Sequence, residues 1–162
     1  MKNLLSENGM GIIEIIVVVA IILSAFVAIL QLTFLERRAQ IIAREDIEAY
    51  MLARESLEAT RSIRDDSWAN LSSLTYDIPY YVVINTNVWE ITATDPGPVN
   101  GYDRWVEVSQ VFRDANDDIT TSGGVSDPDT LEVTSYVEWT TAGGNTRQVD
   151  MKTYLTNWQE YR

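Results

Sequence analysis

From Ile15 to Leu35 the chain carries no charged residue, and apolar side chains fill nearly every position. An uncharged run of 21 residues at about 1.5 Å per residue is long enough to cross roughly 30 Å of hydrocarbon. A cleaved secretory signal has a shorter apolar core, followed by a small-residue cut site, and neither feature is present. A buried core helix would be shorter and less uniformly Ile, Val and Leu. The pattern predicts a membrane-spanning helix over residues 10–35. The helical signal then continues, because "ERRAQIIAREDIEAYMLARESLEATRSI" contains neither Pro nor Gly and is rich in good helix formers. Ala39, Ile42, Ala49, Leu52, Ala53, Ala59 and Ile63 follow a 3.6-residue period, with a polar break near Asp46. Ile47, Tyr50 and Leu57 form a second stripe. One stripe suits the protein's own globular domain and the other suits partner helices, unless both widen a single core face. Residues 36–66 are thus expected to be an amphipathic continuation. A helix from Met10 to Ile63 would run for roughly 80 Å.

The stretch "RDDSWANL" breaks this pattern, and a short helical turn is expected after Ser67. Beyond it the period changes to two. Trp89, Ile91 and Ala93 alternate with polar residues, as do Leu131, Val133, Val137 and Trp139, and then Val149, Met151 and Leu155. Thr-Ala-Gly-Gly-Asn separates the last two runs and predicts a hairpin. With "PYYVVIN" and "RWVEVSQVF" this makes four or five antiparallel strands, with loops at "TDPGPVNGYD" and "RDANDDITTSGGVSDPD". An amphipathic sheet needs a cover, and the C-terminal half of the long helix is the natural one. The fold class is therefore α+β: a long N-terminal helix packed on an antiparallel β-domain spanning 67–162. Trp68, Trp105, Trp139 and Trp158 are expected in core and hairpin packing.

Charge narrows the partners. The net charge is −12, and residues 67–162 hold 14 acids against five bases. Phosphate binding needs clustered Lys and Arg, so no nucleic-acid partner is expected. The chain has no Cys and no His. Disulfides, thiolate metal sites, Cys nucleophiles and the usual Ser-His-Asp base are excluded. A carboxylate-based hydrolase has no supporting motif, and no enzymatic activity is expected.

One residue conflicts with the membrane helix: Glu14, near its start. It stands in Gly9-Met10-Gly11-Ile12-Ile13-Glu14-Ile15, after a short leader carrying Lys2. An acid in an apolar helix costs about 2.5–3.5 kcal/mol at the bilayer centre, and less near an end. This stretch resembles the cleavage and methylation signature of type IV prepilins and type II secretion pseudopilins. The resemblance implies that residues 1–9 are a leader, that a membrane prepilin peptidase cuts between Gly9 and Met10, and that the Met10 amine is then methylated. It further implies that Glu14 receives the amine of a neighbouring subunit, so that assembly neutralises both charges. Physically, the alternative is that Glu14 stabilises the helix N-terminus. Met10 and Gly11 depart from the family's commonest Phe and Thr. "ARESLEATRSIRDDSWANL" and "YLTNWQEYR" are also similar to minor pilins. Many major pilins carry a C-terminal disulfide and a mid-helix proline; this chain has no cysteine, and Gln31 where that proline would be. A pilin-like ladle of the minor-pilin or pseudopilin kind is the expectation.

The resemblance also sets topology. Counting Lys and Arg alone would put the side carrying Arg37 and Arg38 inside. In the family, the C-terminal domain lies outside the cytoplasm, first anchored in the cytoplasmic membrane by a single pass and then in an extracellular or periplasmic filament. The partners implied are other subunits through the N-terminal helix, the prepilin peptidase and the membrane assembly machinery. The competing reading is a permanently anchored exoprotein with a ligand-binding β-domain. No cofactor is expected. Asp114, Asn116 and Asp118 alternate like the first ligands of a calcium loop, yet Ile119 replaces its turn glycine and Val125 its bidentate Glu. A solvated acidic hairpin loop is the simpler expectation there.

Overall fold

The computed structural model describes residues 11–121, 123–141 and 143–158. The chain divides into two compact units, Met1–Ala43 and Arg44–Arg162. Helix α1 runs over Ile12–Asp66 and supplies both. In the first unit every described residue is exposed. An 18-residue window of α1 reaches a mean hydropathy of 3.1, so this helix is long and apolar enough to cross a membrane.

The second unit is an α+β body. The C-terminal part of α1 and the short helix α2 (Ala69–Ser72) pack on an antiparallel sheet. Its strands are β1 (Pro79–Asn85), β2 (Val88–Thr92), β3 (Tyr102–Arg113), β4 (Ile119–Thr120), β5 (Val125–Thr140) and β6 (Thr146–Thr156). They lie in the order β2-β1-β3-β5-β6, with β4 paired to β3.

The inner face is built by alternation. Val106 and Val108 on β3, Leu131, Val133 and Val137 on β5, and Leu155 on β6 are all essentially inaccessible. Against them α1 buries Ala49, Ala53, Ser56, Leu57, Ala59, Thr60 and Ile63. Ala49 and Ala53 meet Tyr102, Val137 and Trp139, whereas Leu57 and Ile63 join Leu71, Tyr80 and the strand valines. Polar contacts bracket this seam: Arg104 meets Glu55 at 3.0 Å, Arg147 meets Asp46 at 3.0 Å, and Arg61 donates to Thr153 at 3.1 Å. The polar break at Asp46 is therefore one end of the helix–sheet interface.

The two helical stripes divide differently from the expectation. Leu57 belongs to the buried face, while Ile47 and Tyr50 stay exposed at 61% and 50%. Ala39 and Ile42 lie in the exposed unit. Ser56 and Thr60 are buried because their hydroxyls donate back to the carbonyls of Leu52 and Ser56 at 3.1 and 2.8 Å, which satisfies them without a partner on the sheet.

The strands exceed their predicted extent at one place. "RDANDDITTSGGVSDPD" was expected to be loop, but it contains β4 and the start of β5. The register between β3 and β5 jumps between Gln110 and Val111, from Leu131 to Asp127, so a bulge accommodates Pro128, which has no N–H to give a ladder. Gly124 makes the tight approach of β5 to β3 feasible. A Cβ there would stand 2.5 Å from the Arg113 carbonyl oxygen. The β1–β2 connection is a two-residue turn with positive φ at Thr86 (49°) and Asn87 (64°), the type I′ pattern that matches strand twist.

This division of α1 has a measurable consequence. Leu57→Ala should lower stability by about 2–5 kcal/mol in urea unfolding of the detergent-solubilised chain. Ile47→Ala should change it by no more than about 0.5 kcal/mol. Equal effects would mean that both stripes are core.

Candidate functional site

The sequence places its chemistry at two points: the start of α1 and the β3–β4 turn. Gly9 and Met10, the expected cleavage and methylation positions, lie outside the described residues. Glu14 lies within them, in the first turn of α1. The Gly11 N–H donates to Glu14 Oε2 at 3.3 Å, and the Glu14 N–H donates to the Gly11 carbonyl at 2.9 Å. This is capping-box geometry: a carboxylate at the third helical position reaches back to satisfy a free backbone donor. It also puts negative charge at the positive end of the helix dipole. Within the chain, then, Glu14 has a local partner, in keeping with the alternative role at the helix N-terminus. Glu14 itself is exposed.

Downstream of Glu14 nothing in the segment competes electrostatically, since residues 15–35 carry no charge. Ser24 and Thr33 donate their hydroxyls to the carbonyls of Ile21 and Ile29 at 2.8 and 3.1 Å. The helix thus internalises its own polar groups, as a helix in hydrocarbon must.

At the second point, Asp114, Asn116 and Asp118 form a hydrogen-bonded turn. Asp114 Oδ1 accepts the N–H groups of Asn116 at 2.8 Å and Asp118 at 3.1 Å. These backbone donors hold the Asp114 carboxyl below its ordinary range. Asp127 and Asp129, whose carboxylates lie close by, are also engaged. Asp127 Oδ2 accepts from Arg113 Nε at 2.6 Å, and Asp129 Oδ1 accepts from Asn157 at 3.2 Å. Burial raises the Asp127 carboxyl, but the hydrogen bonds from Arg113, Thr130 and the Asp129 backbone outweigh it and leave it lowered. A cleft of about 500 Å³ is lined by Arg113, Asp114, Asp117, Asp127 and Asp129. The Arg113 guanidinium supplies the positive charge there. Among the described residues no group of three or more acidic side chains is placed to hold a metal ion.

Arg113 and its pairing with Asp127 were missed by the sequence reading. The signal was the Pro128 that forces the bulge and brings the two side chains together. Trp105, expected in hairpin or core packing, lies on the sheet face opposite α1 and stacks on Tyr136, with ring centroids 5.3 Å apart. The alternation of "RWVEVSQVF" already puts Trp105 and Glu107 on the face opposite Val106 and Val108.

Compared with family models, curated proteins and solved structures, the chain matches none.

Millimolar calcium is expected to leave the melting temperature of the full-length chain unchanged, because Asp114 Oδ1 already accepts two backbone N–H groups and Asp127 is paired with Arg113. A calcium-specific rise, absent with magnesium, would establish a site. The acid limb is set by the same groups. Asp114 and Asp127 have folded pKa values below 3.8, so their stabilisation is complete above about pH 4 and is lost as pH falls through the folded values. Asp127→Asn should flatten stability against pH in that window, as read by thermal melts at stepped pH.

Proposed function

We propose that this chain is a structural subunit, a minor pilin or pseudopilin, of a type IV pilus or type II secretion-like filament. It would be processed by prepilin peptidase and assembled through α1. The observation that carries this reading is the combination at the N-terminus. Gly9-Met10-Gly11-Ile12-Ile13-Glu14 leads into a helical run, uncharged over 15–35, whose residues from Ile12 to Leu35 are all exposed among the described residues. A helix of this kind suits two environments, a bilayer before assembly and a bundle of like helices afterwards.

In this reading the cut after Gly9 creates an α-amino cation at Met10, which a neighbour's Glu14 receives. The capping bond to the Gly11 N–H then describes the unassembled subunit: the carboxylate is held locally until a charged donor replaces a neutral one. The bond to the Gly11 N–H is already charge-assisted on the acceptor side, but an ammonium donor adds direct attraction between opposite charges in a low-dielectric setting, which favours the exchange on assembly. The subunit would sit in the cytoplasmic membrane with a single pass and its β-domain outside the cytoplasm. The capping geometry itself favours the rival reading, a permanently anchored exoprotein in which Glu14 merely finishes the helix.

Glu14→Ala separates the two. Insertion should be unharmed or easier, because a costly acid is gone. Cleavage after Gly9 should persist. Filament entry should fail, since leaving the Met10 amine buried without its partner costs about 3–5 kcal/mol. Gly9→Leu should instead leave the leader attached. Immunoblots of membrane and sheared-filament fractions distinguish these outcomes, and wild-type incorporation of a processed Glu14→Ala subunit would return Glu14 to its role at the helix end.

A further inference from the structure

The face of the sheet turned away from α1 is built unlike an ordinary solvated face. Its side is fixed by the register. On β3, Arg104 points to Glu55 of α1, and Val106 and Val108 are in the core, so Asp103, Trp105 and Glu107 take the opposite side. On β5 the core residues Leu131, Val133 and Val137 leave Glu132, Thr134, Tyr136 and Glu138 facing outward. Trp105 is directly opposite Tyr136, and Tyr136 is opposite Asp150 of β6. On β1 the buried Tyr80 and Val82 leave Tyr81 on the outward side, just past the last residue paired to β3. An aromatic row, Trp105 stacked on Tyr136, thus crosses β3 and β5, with Tyr81 on the same side of β1. Both helices bury their apolar residues on the other side of the sheet, α1 through Leu57 and Ile63 and α2 through Leu71.

Two features give this row a preference. Trp105 and Tyr136 stack with an interplanar angle of 17°, and Trp105 Nε1 donates to Glu107 Oε1 at 3.2 Å, so the rings are held in place rather than free to rotate. The charges around them are mostly negative. Among the described residues, Asp103, Glu107, Glu132, Glu138 and Asp150 share this face with one base, Lys152, which is paired to Glu132 at 2.6 Å. The field registers at the rings: burial, then Glu107 and Asp150, raises the Tyr136 hydroxyl, and burial, then Asp95 and Asp103, raises that of Tyr81.

We propose that this face docks a cationic polypeptide segment of another protein, with Lys or Arg side chains set against the Trp105–Tyr136 pair and the flanking carboxylates. The π-faces and the carboxylates attract a cation with the same sign, and they reinforce each other where water is displaced. An anionic partner is repelled. A neutral glycan would use the rings but leave the carboxylates without counter-charge. The surface is distinct from α1, and the inference is independent of whether the chain assembles into filaments.

The test uses the full-length chain in nonionic detergent and a short fluorescent Lys/Arg-rich peptide, read by anisotropy at low and physiological salt. The expected result is saturable binding, weakened by salt. Glu107→Gln/Glu138→Gln/Asp150→Asn together should weaken it by roughly tenfold or more, and Trp105→Leu should weaken it with the charges intact. Asp114→Asn/Asp117→Asn/Asp118→Asn removes equal charge elsewhere and should leave binding within about twofold of wild type. Near-UV circular dichroism establishes that each variant is folded. Equal loss from the two charge triples would show non-specific attraction and overturn the proposal. So would indifference to Trp105→Leu, absence of peptide binding, or preference for a neutral oligosaccharide.

Discussion

An apolar helix with no cover of its own is the constraint on which the rest of this protein depends. Seventeen large apolar side chains between Ile12 and Leu35 are exposed. At about 1.5–3 kcal/mol for burying each one, leaving them in water forgoes about 25–50 kcal/mol. That exceeds the roughly 5–15 kcal/mol net stability of a typical domain. The segment therefore requires surroundings other than water, and its backbone can meet them because a helix satisfies its polar groups internally. A single carboxylate at its start is tolerable in that setting only with a donor. The Gly11 N–H is the donor within the subunit, and in the proposed assembly a neighbour's amine takes its place.

The C-terminal part of the same helix solves the opposite problem. Here the chain must hold a helix on a sheet in water, and it does so with small residues at the seam and charges at its margins. Ala49 and Ala53 are completely buried, and Arg147 reaches Asp46 while passing 5.6 Å over the Trp139 ring. These partly exposed ion pairs contribute little stability individually, about 0–1 kcal/mol each. Their value is in fixing which face of the helix meets the sheet, because each wrong rotation would separate a pair. The stabilisation itself comes from Leu57, Ile63 and the strand valines.

The helical and strand periods were legible because they follow from geometry: uncharged length for the first part of α1, and alternation for β3, β5 and β6. What was not legible followed from contacts distant in sequence. Spacing groups Leu57 with Ile47 and Tyr50, but spacing along α1 does not reveal how wide the covering sheet is, and only Leu57 of the three is buried. Ser56 and Thr60 were overlooked because their hydroxyls become compatible with burial only by bonding back along the helix. The loop around Asp114 carried a calcium-like spacing, but the spacing does not show that Arg113, turned in by the bulge at Pro128, brings its own positive charge. Trp105 takes the cross-strand form of the expected core and hairpin packing, and its own strand's alternation puts it on the outer face. At the N-terminus the resemblance rests on the sequence alone, and the structure adds the local bond of Glu14.

The central claim of the proposal is that cleavage makes Met10 the mature N-terminus, with an amine made to be paired. Intact mass spectrometry of the native protein extracted from membranes tests it most directly. The account predicts a mass lacking residues 1–9 and carrying one additional methyl group at the new N-terminus. A chain that retains residues 1–9 in cells containing an active prepilin peptidase would contradict it, and would leave Glu14 as the cap of a permanent membrane anchor.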